Sequence, residues 1–175
     1  MANTTFNGPV RSENGFTVVS KNSSTGAITT SFTLDGSGMQ VTPVSLADAA
    51  ATNLTAAANA GRINLVGDNS QDSTYVLPAP TAGIFYRFVY AGGAADATDA
   101  LIITPGNSNF YIGGVTFLDT DGDAISSVFS DGNSNSSIQL NVPAGFDITI
   151  LGLDTTNYQI FGNVTSTTAP EFADQ

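Results

Sequence analysis

The chain has 175 residues, 41% of them hydrophobic, and contains no histidine, cysteine or tryptophan; fifteen acidic side chains stand against Arg11, Lys21, Arg62 and Arg87, for a net charge of -11. That composition excludes a disordered chain and rules out disulfides and thiolate metal sites. It also removes the histidine that acid–base chemistry near neutral pH most often uses, and its sign disfavours nucleic acid and anionic membrane surfaces as partners.

The opening Met-Ala-Asn-Thr-Thr-Phe has neither a basic nor an apolar region of the kind a secretory leader carries, so no targeting segment is expected. Residues 1–14 hold Asn7-Gly-Pro9 and show no periodicity, which reads either as a frayed terminus or as an extended arm that lays Phe6 into a neighbouring subunit. Short β-rich runs cut by glycine and proline then follow at a spacing of roughly ten residues, the pattern of a sandwich or barrel. Phe16–Ser20 and Ile28–Leu34 read as strands joined by the loop Lys21-Asn-Ser-Ser-Thr-Gly26, and Asp35-Gly-Ser-Gly38 ends the second.

Leu46, Ala50, Leu54 and Ala57 stand at helical spacing within Leu46–Ala60, and Gly61 can stop a helix. Thr52, Asn53 and Thr55 oppose it, so at most one short helix or helical turn is predicted. Strands follow at Arg62–Val66 and Thr74–Leu77, and Pro78-Ala-Pro80 breaks the ladder. Ile84–Tyr90 is the densest apolar run, with aromatics on both parities. That predicts cover on both faces, inside the fold or at a subunit contact.

Leu101–Thr104, Phe110–Ile112, Val115–Leu118, Ser136–Val142, Asp147–Leu151 and Tyr158–Val164 complete the strands. In the last, Tyr158, Ile160, Gly162 and Val164 share one face, with Gln159, Phe161 and Asn163 on the other. Residues 165–175 read as a polar C-terminal tail with one aromatic, Phe172. The expected organisation is an arm over 1–14, one β domain over 15–164 and a tail over 165–175. The expected fold is all-β, an antiparallel sandwich or barrel of jelly-roll type.

Few residues could carry chemistry. Asp119, Asp121 and Asp123 alternate like the first ligands of a calcium loop, but Ala124 stands where that loop needs glycine and Ser130 where it needs glutamate. The reading preferred is a hairpin turn on Asp121-Gly122 between Val115–Leu118 and Ile125–Phe129. Gly92-Gly93 and Gly113-Gly114 lack the lysine and following helix of a phosphate loop and read as turns or bulges. No catalytic, cofactor-binding or metal-binding residue is assigned. Arg87, a charge inside the most apolar strand, reads as an edge-strand guard against aggregation or as half of an ion pair across a subunit contact.

The string Tyr75-Val-Leu-Pro-Ala-Pro-Thr-Ala-Gly-Ile-Phe-Tyr-Arg-Phe-Val-Tyr90 resembles a module of structural proteins of tailed bacteriophages. The opening Thr4-Thr-Phe-Asn-Gly-Pro-Val-Arg-Ser-Glu-Asn-Gly-Phe16 and the ending Thr168-Ala-Pro-Glu-Phe-Ala-Asp-Gln175 are similar to the ends of small virion proteins from marine phages, including those of cyanobacteria. The Asp131-Gly-Asn-Ser-Asn-Ser-Ser137 loop fits as well. The resemblance implies a non-enzymatic decoration (cement) protein on the outer surface of the phage head. It would be a homo-oligomer, a trimer first of all, with the major capsid protein or another virion protein as partner and no cofactor. A tail-fibre, knob or receptor-binding component is the alternative, and a small carbohydrate-binding domain the second. The termini are expected to do the attaching, which makes Phe6, Val10, Arg11, Arg87 and Phe172 the candidate interaction residues.

Overall fold

The computed structural model describes residues 12–93 and 97–175. Strands take 51% of the chain and helix 2%, so the protein is all-β. The chain divides into two compact units, Met1–Thr42 and Pro43–Gln175, a division that cuts through the span read from sequence as one domain.

The described part of the first unit is an antiparallel sheet of three strands, β1 (Phe16–Lys21), β2 (Ile28–Asp35) and β3 (Gly38–Val41), in that order. Its turns are held by short polar side chains. Asn22 Oδ1 accepts from the Ser24 and Thr25 amides, and Asp35 Oδ1 accepts from the Ser37 amide; such local bonds are why Asn and Asp favour turns.

The second unit packs two sheets as a sandwich. The larger has seven strands in the order β11-β10-β14-β13-β8-β6-β4. These are β4 (Val44–Ser45), β6 (Ile63–Val66), β8 (Phe85–Tyr90), β10 (Phe110–Asp119), β11 (Ala124–Phe129), β13 (Gly145–Gly152) and β14 (Asn157–Ser166). The smaller has five in the order β15-β12-β9-β7-β5, namely β5 (Ala51–Asn53), β7 (Ser73–Val76), β9 (Ala100–Ile103), β12 (Ser137–Leu140) and β15 (Glu171–Ala173). Both sheets are mixed: β10 runs parallel to β14, β6 to β8 and β4, and β7 to β9 and β5, while the other neighbours are antiparallel. The all-β sandwich expected from sequence is present; its parallel pairs arise where strands that are not consecutive in the chain lie side by side.

The core sits between the sheets. Tyr86, Phe88, Ile148, Ile150, Tyr158, Ile160 and Val164 face it from the larger sheet, and Tyr75, Ile102, Ile138 and Leu140 from the smaller. Alternation places them, since a period of two sends every second side chain inward. Tyr158 forms the middle of an aromatic row: its ring lies 6.4 Å from Tyr86 and 6.3 Å from Tyr111, and Tyr111 meets Phe172 edge-on at 6.2 Å. Buried hydroxyls need partners. Tyr158 donates to the Pro78 carbonyl at 2.8 Å and Tyr111 to the Ile102 carbonyl at 3.1 Å.

One local reading holds and one changes. The helix predicted within 46–60 is the single turn α1 (Ala56–Asn59), capped by Thr55 Oγ1 accepting from the Ala58 amide. Upstream the chain is extended, because β5 pairs in parallel with β7 and the Leu54 amide donates to the Val76 carbonyl at 2.8 Å. The long-range ladder satisfies these backbone groups where a helix of threonine and asparagine would have been weak. The tail expected at 165–175 is also part of the sandwich. β14 continues to Ser166, and β15 pairs with β12 through Ile138↔Phe172.

Candidate interaction surface

Along β8 the residues alternate Tyr86 in, Arg87 out, Phe88 in, so Arg87 emerges on the outer face of the larger sheet. β8 lies between β13 and β6. Arg87 is therefore not on an edge strand, and the aggregation-guard reading does not apply. Its partner is Asp147, one strand over and in the same chain. Nε donates to Oδ1 at 2.8 Å and the η nitrogen to Oδ2 at 2.5 Å, a two-pronged clamp matched to the planar guanidinium. Hydrogen bonding from Arg87 holds the Asp147 carboxyl below its usual range, and the same contact raises the guanidinium.

The clamp is open to water, with side chains 44% and 39% exposed. Exposed pairs contribute about 0–1 kcal/mol. Arg87→Gln should therefore lower the unfolding free energy by no more than about 1 kcal/mol, read by urea titration. A larger loss would assign the arginine a structural role that its exposure denies.

Pairing places Arg87 in a row across the outer face. Arg87 is level with Thr149, and Thr149 with Phe161. The β10–β14 register brings Gly114 level with Phe161, and Gly114 is paired with Phe129. Phe161 and Phe129 are 48% and 73% exposed. Between them lies an open depression floored by Gly114 and flanked by Thr116 and Ser127. A second depression, bounded by Arg87, Asp147, Thr149 and Asn163, lies on the other side of Phe161. The Gly114 position has no room for a side chain, since a Cβ there would strike the Val128 carbonyl and Phe129. Gly113-Gly114, read from sequence as a turn or bulge, thus lies inside the continuous ten-residue strand β10.

The other candidates are dispersed. Phe6, Val10 and Arg11 lie outside the described residues. Phe172 is half-buried against the core, with its ring on Tyr111. The residues behind it are tied down in cis: the Gln175 side-chain amide donates to Thr104 O at 2.8 Å and Oγ1 at 2.9 Å, and its backbone amide to Asn107 Oδ1 at 3.0 Å. Phe172 accordingly packs against the core of its own chain. The aspartate cluster forms the β10–β11 hairpin loop. Asp119 Oδ1 accepts from the Asp121 and Gly122 amides at 3.0 and 3.1 Å, and among the described residues no group of three or more carboxylates is arranged to hold a metal.

Sequence reasoning missed Asp147, Phe129 and the Gly114 floor. Asp147 and Phe161 each stood on the outward parity of a recognised strand, so the signal for both was present. What was hidden was which strands lie side by side. No family model matches this chain, and no curated protein matches it in sequence, so its own residues carry any functional reading.

Proposed function

We propose that this chain is a non-enzymatic structural protein of a tailed-phage virion, an outer capsid decoration (cement) protein assembled as a homotrimer. The observation that carries the reading is the outer face of the seven-stranded sheet. It presents Phe85, Phe129 and Phe161 to solvent, and its titratable pair, Arg87 and Asp147, is committed to itself. Exposed aromatics on a rigid sheet suit contact with another protein surface, and a self-satisfied ion pair offers no reactive group. The resemblance of Tyr75–Tyr90 to a module of tailed-phage structural proteins, and of the termini to the ends of marine-phage virion proteins, supports the same role. Attachment to the capsid is assigned to the N-terminal segment with Phe6, Val10 and Arg11, because Phe172 is engaged in its own core.

The test is binding to phage heads that lack the protein, with the bound copies located by electron microscopy. The full chain should decorate the head surface at a fixed number of copies per capsid subunit, and deletion of residues 2–11 should abolish decoration while the circular dichroism of the β body is kept. Density at the tail tip instead would establish the fibre or knob alternative. Binding to neither part of the particle would remove the virion reading.

A further inference from the structure

The three-stranded sheet of the first unit sorts its residues by face. Its register aligns Phe16, Leu34 and Met39 in one row and Val18, Phe32 and Val41 in the next. Directly paired residues share a face, and residues two apart share it too. One face is thus built of six apolar side chains. The intervening row, Thr17, Thr33 and Gln40, makes the other face polar.

Such alternation belongs to a sheet that covers a core, yet no described residue of 12–42 is buried. Phe16 is 47% exposed, Val18 57%, Leu34 44% and Met39 69%. A small sheet gains independent stability only by burying a hydrophobic face. This apolar face therefore requires an occupant.

Charge identifies the occupant. Residues 43–175 hold thirteen acidic and two basic side chains, a net charge of -11, while Glu13 and Asp35 are balanced by Arg11 and Lys21 in the first 42 residues. Copies of so acidic a chain repel one another. The neutral segment is where they approach at least electrostatic cost, and the only charge on its apolar face is Lys21, paired with Ile28 at the end of the sheet beyond the six apolar residues. We infer that the face made by Phe16, Val18, Phe32, Leu34, Met39 and Val41 is the self-association surface, covered by the same face of further copies of this chain. Two copies pack these sheets face to face at about 10 Å, and three close around a threefold axis. The inference supplies the contact for the trimer proposed above and rests on that reading only for the number of copies.

Sedimentation velocity of the full chain over the micromolar range tests it. The wild type should associate, Val18→Glu/Leu34→Glu should weaken association at least about tenfold, and Thr17→Glu, on the opposite face of the same strand, should leave it unchanged. A second readout does not rely on the variants folding: amide exchange across β1–β3 in the wild type should slow as concentration rises. A monomer at every concentration, or exchange independent of concentration, overturns both this surface and the trimer. Association that survives Val18→Glu/Leu34→Glu, or is lost equally with Thr17→Glu, overturns the surface alone and leaves the oligomer standing.

Discussion

Gly162→Ala should be among the most damaging single-methyl additions to this protein, costing about 3 kcal/mol or more and lowering Tm by about 10 °C. Gly162 sits at φ +147 in β14, in the middle of the seven-stranded sheet. That backbone region costs a residue with a side chain roughly 1–3 kcal/mol. Space is the second obstacle, because a Cβ there would fall on the Asp147 carbonyl oxygen and lie 2.8 Å from the Ile148 Cα. Both are backbone atoms of the neighbouring strand β13, so no side-chain rotation relieves the contact and the pairing Ile148↔Gly162 must open. Gly132→Ala is the comparison. Gly132 also has a positive φ, +80, but has open space around it and lies in a loop, so it should show the conformational penalty without the collision. Thermal melts giving equal losses for the two variants would remove the collision argument.

A steep alkaline unfolding transition is the second large effect expected. Burial raises the pKa of Tyr111, with a smaller contribution from Tyr158, and burial likewise raises Tyr158, with a smaller contribution from Tyr86; Tyr86 is raised by burial as well. A folded-state pKa above the unfolded value means that the stabilising contribution is complete below the unfolded value, about 10. It is lost as pH climbs from there toward the folded-state value, because the unfolded chain releases the proton first. Each such tyrosine makes stability fall by about 1.4 kcal/mol per pH unit in that window. Asp147 works in the opposite sense at the acid end: held low by Arg87, its contribution is present above about pH 4 and fades as pH drops through its folded-state value. Without histidine or cysteine no side-chain type titrates by default between about pH 5 and 9, so stability should be flat across that range. The measurement is denaturant unfolding against pH, with tyrosinate absorbance recorded alongside circular dichroism. Tyrosinate appearing gradually while the sheet signal persists would refute buried, linked tyrosines. Tyr158→Phe, which keeps the ring but not the bond to Pro78, should make the alkaline limb shallower.

The strands were legible wherever alternation was strong. Asp147–Leu151 and Tyr158–Val164 alternate as written, and the inward set Tyr158, Ile160 and Val164 is buried. Residues 51–53 were not legible, because Ala51 and Asn53 disfavour strands and outweigh the single β-branched Thr52 between them; they are extended through parallel pairing with β7, a partner more than 20 residues away. Arg87 was recognised as unusual, but its place in the sheet depends on strand order, and no local pattern records that β10 joins β14. Phe172 looked like a free aromatic because it lies beyond the last alternating run. Its partner Tyr111 is 61 positions earlier, a contact that only the folded chain reveals.

The position of β14 also dictates when the protein can fold as it is made. β10 and β13 are held together only through β14, a strand that ends at Ser166. Until the ribosome has released that segment, the larger sheet exists as two separate pieces whose flanking edges have no mate. At about 5–20 residues per second, synthesis reaches β14 seconds after the first strands emerge, an interval in which apolar edges stand open to other nascent chains. Chains truncated before β14 should therefore aggregate more readily than the full chain, since they keep both unmated edges.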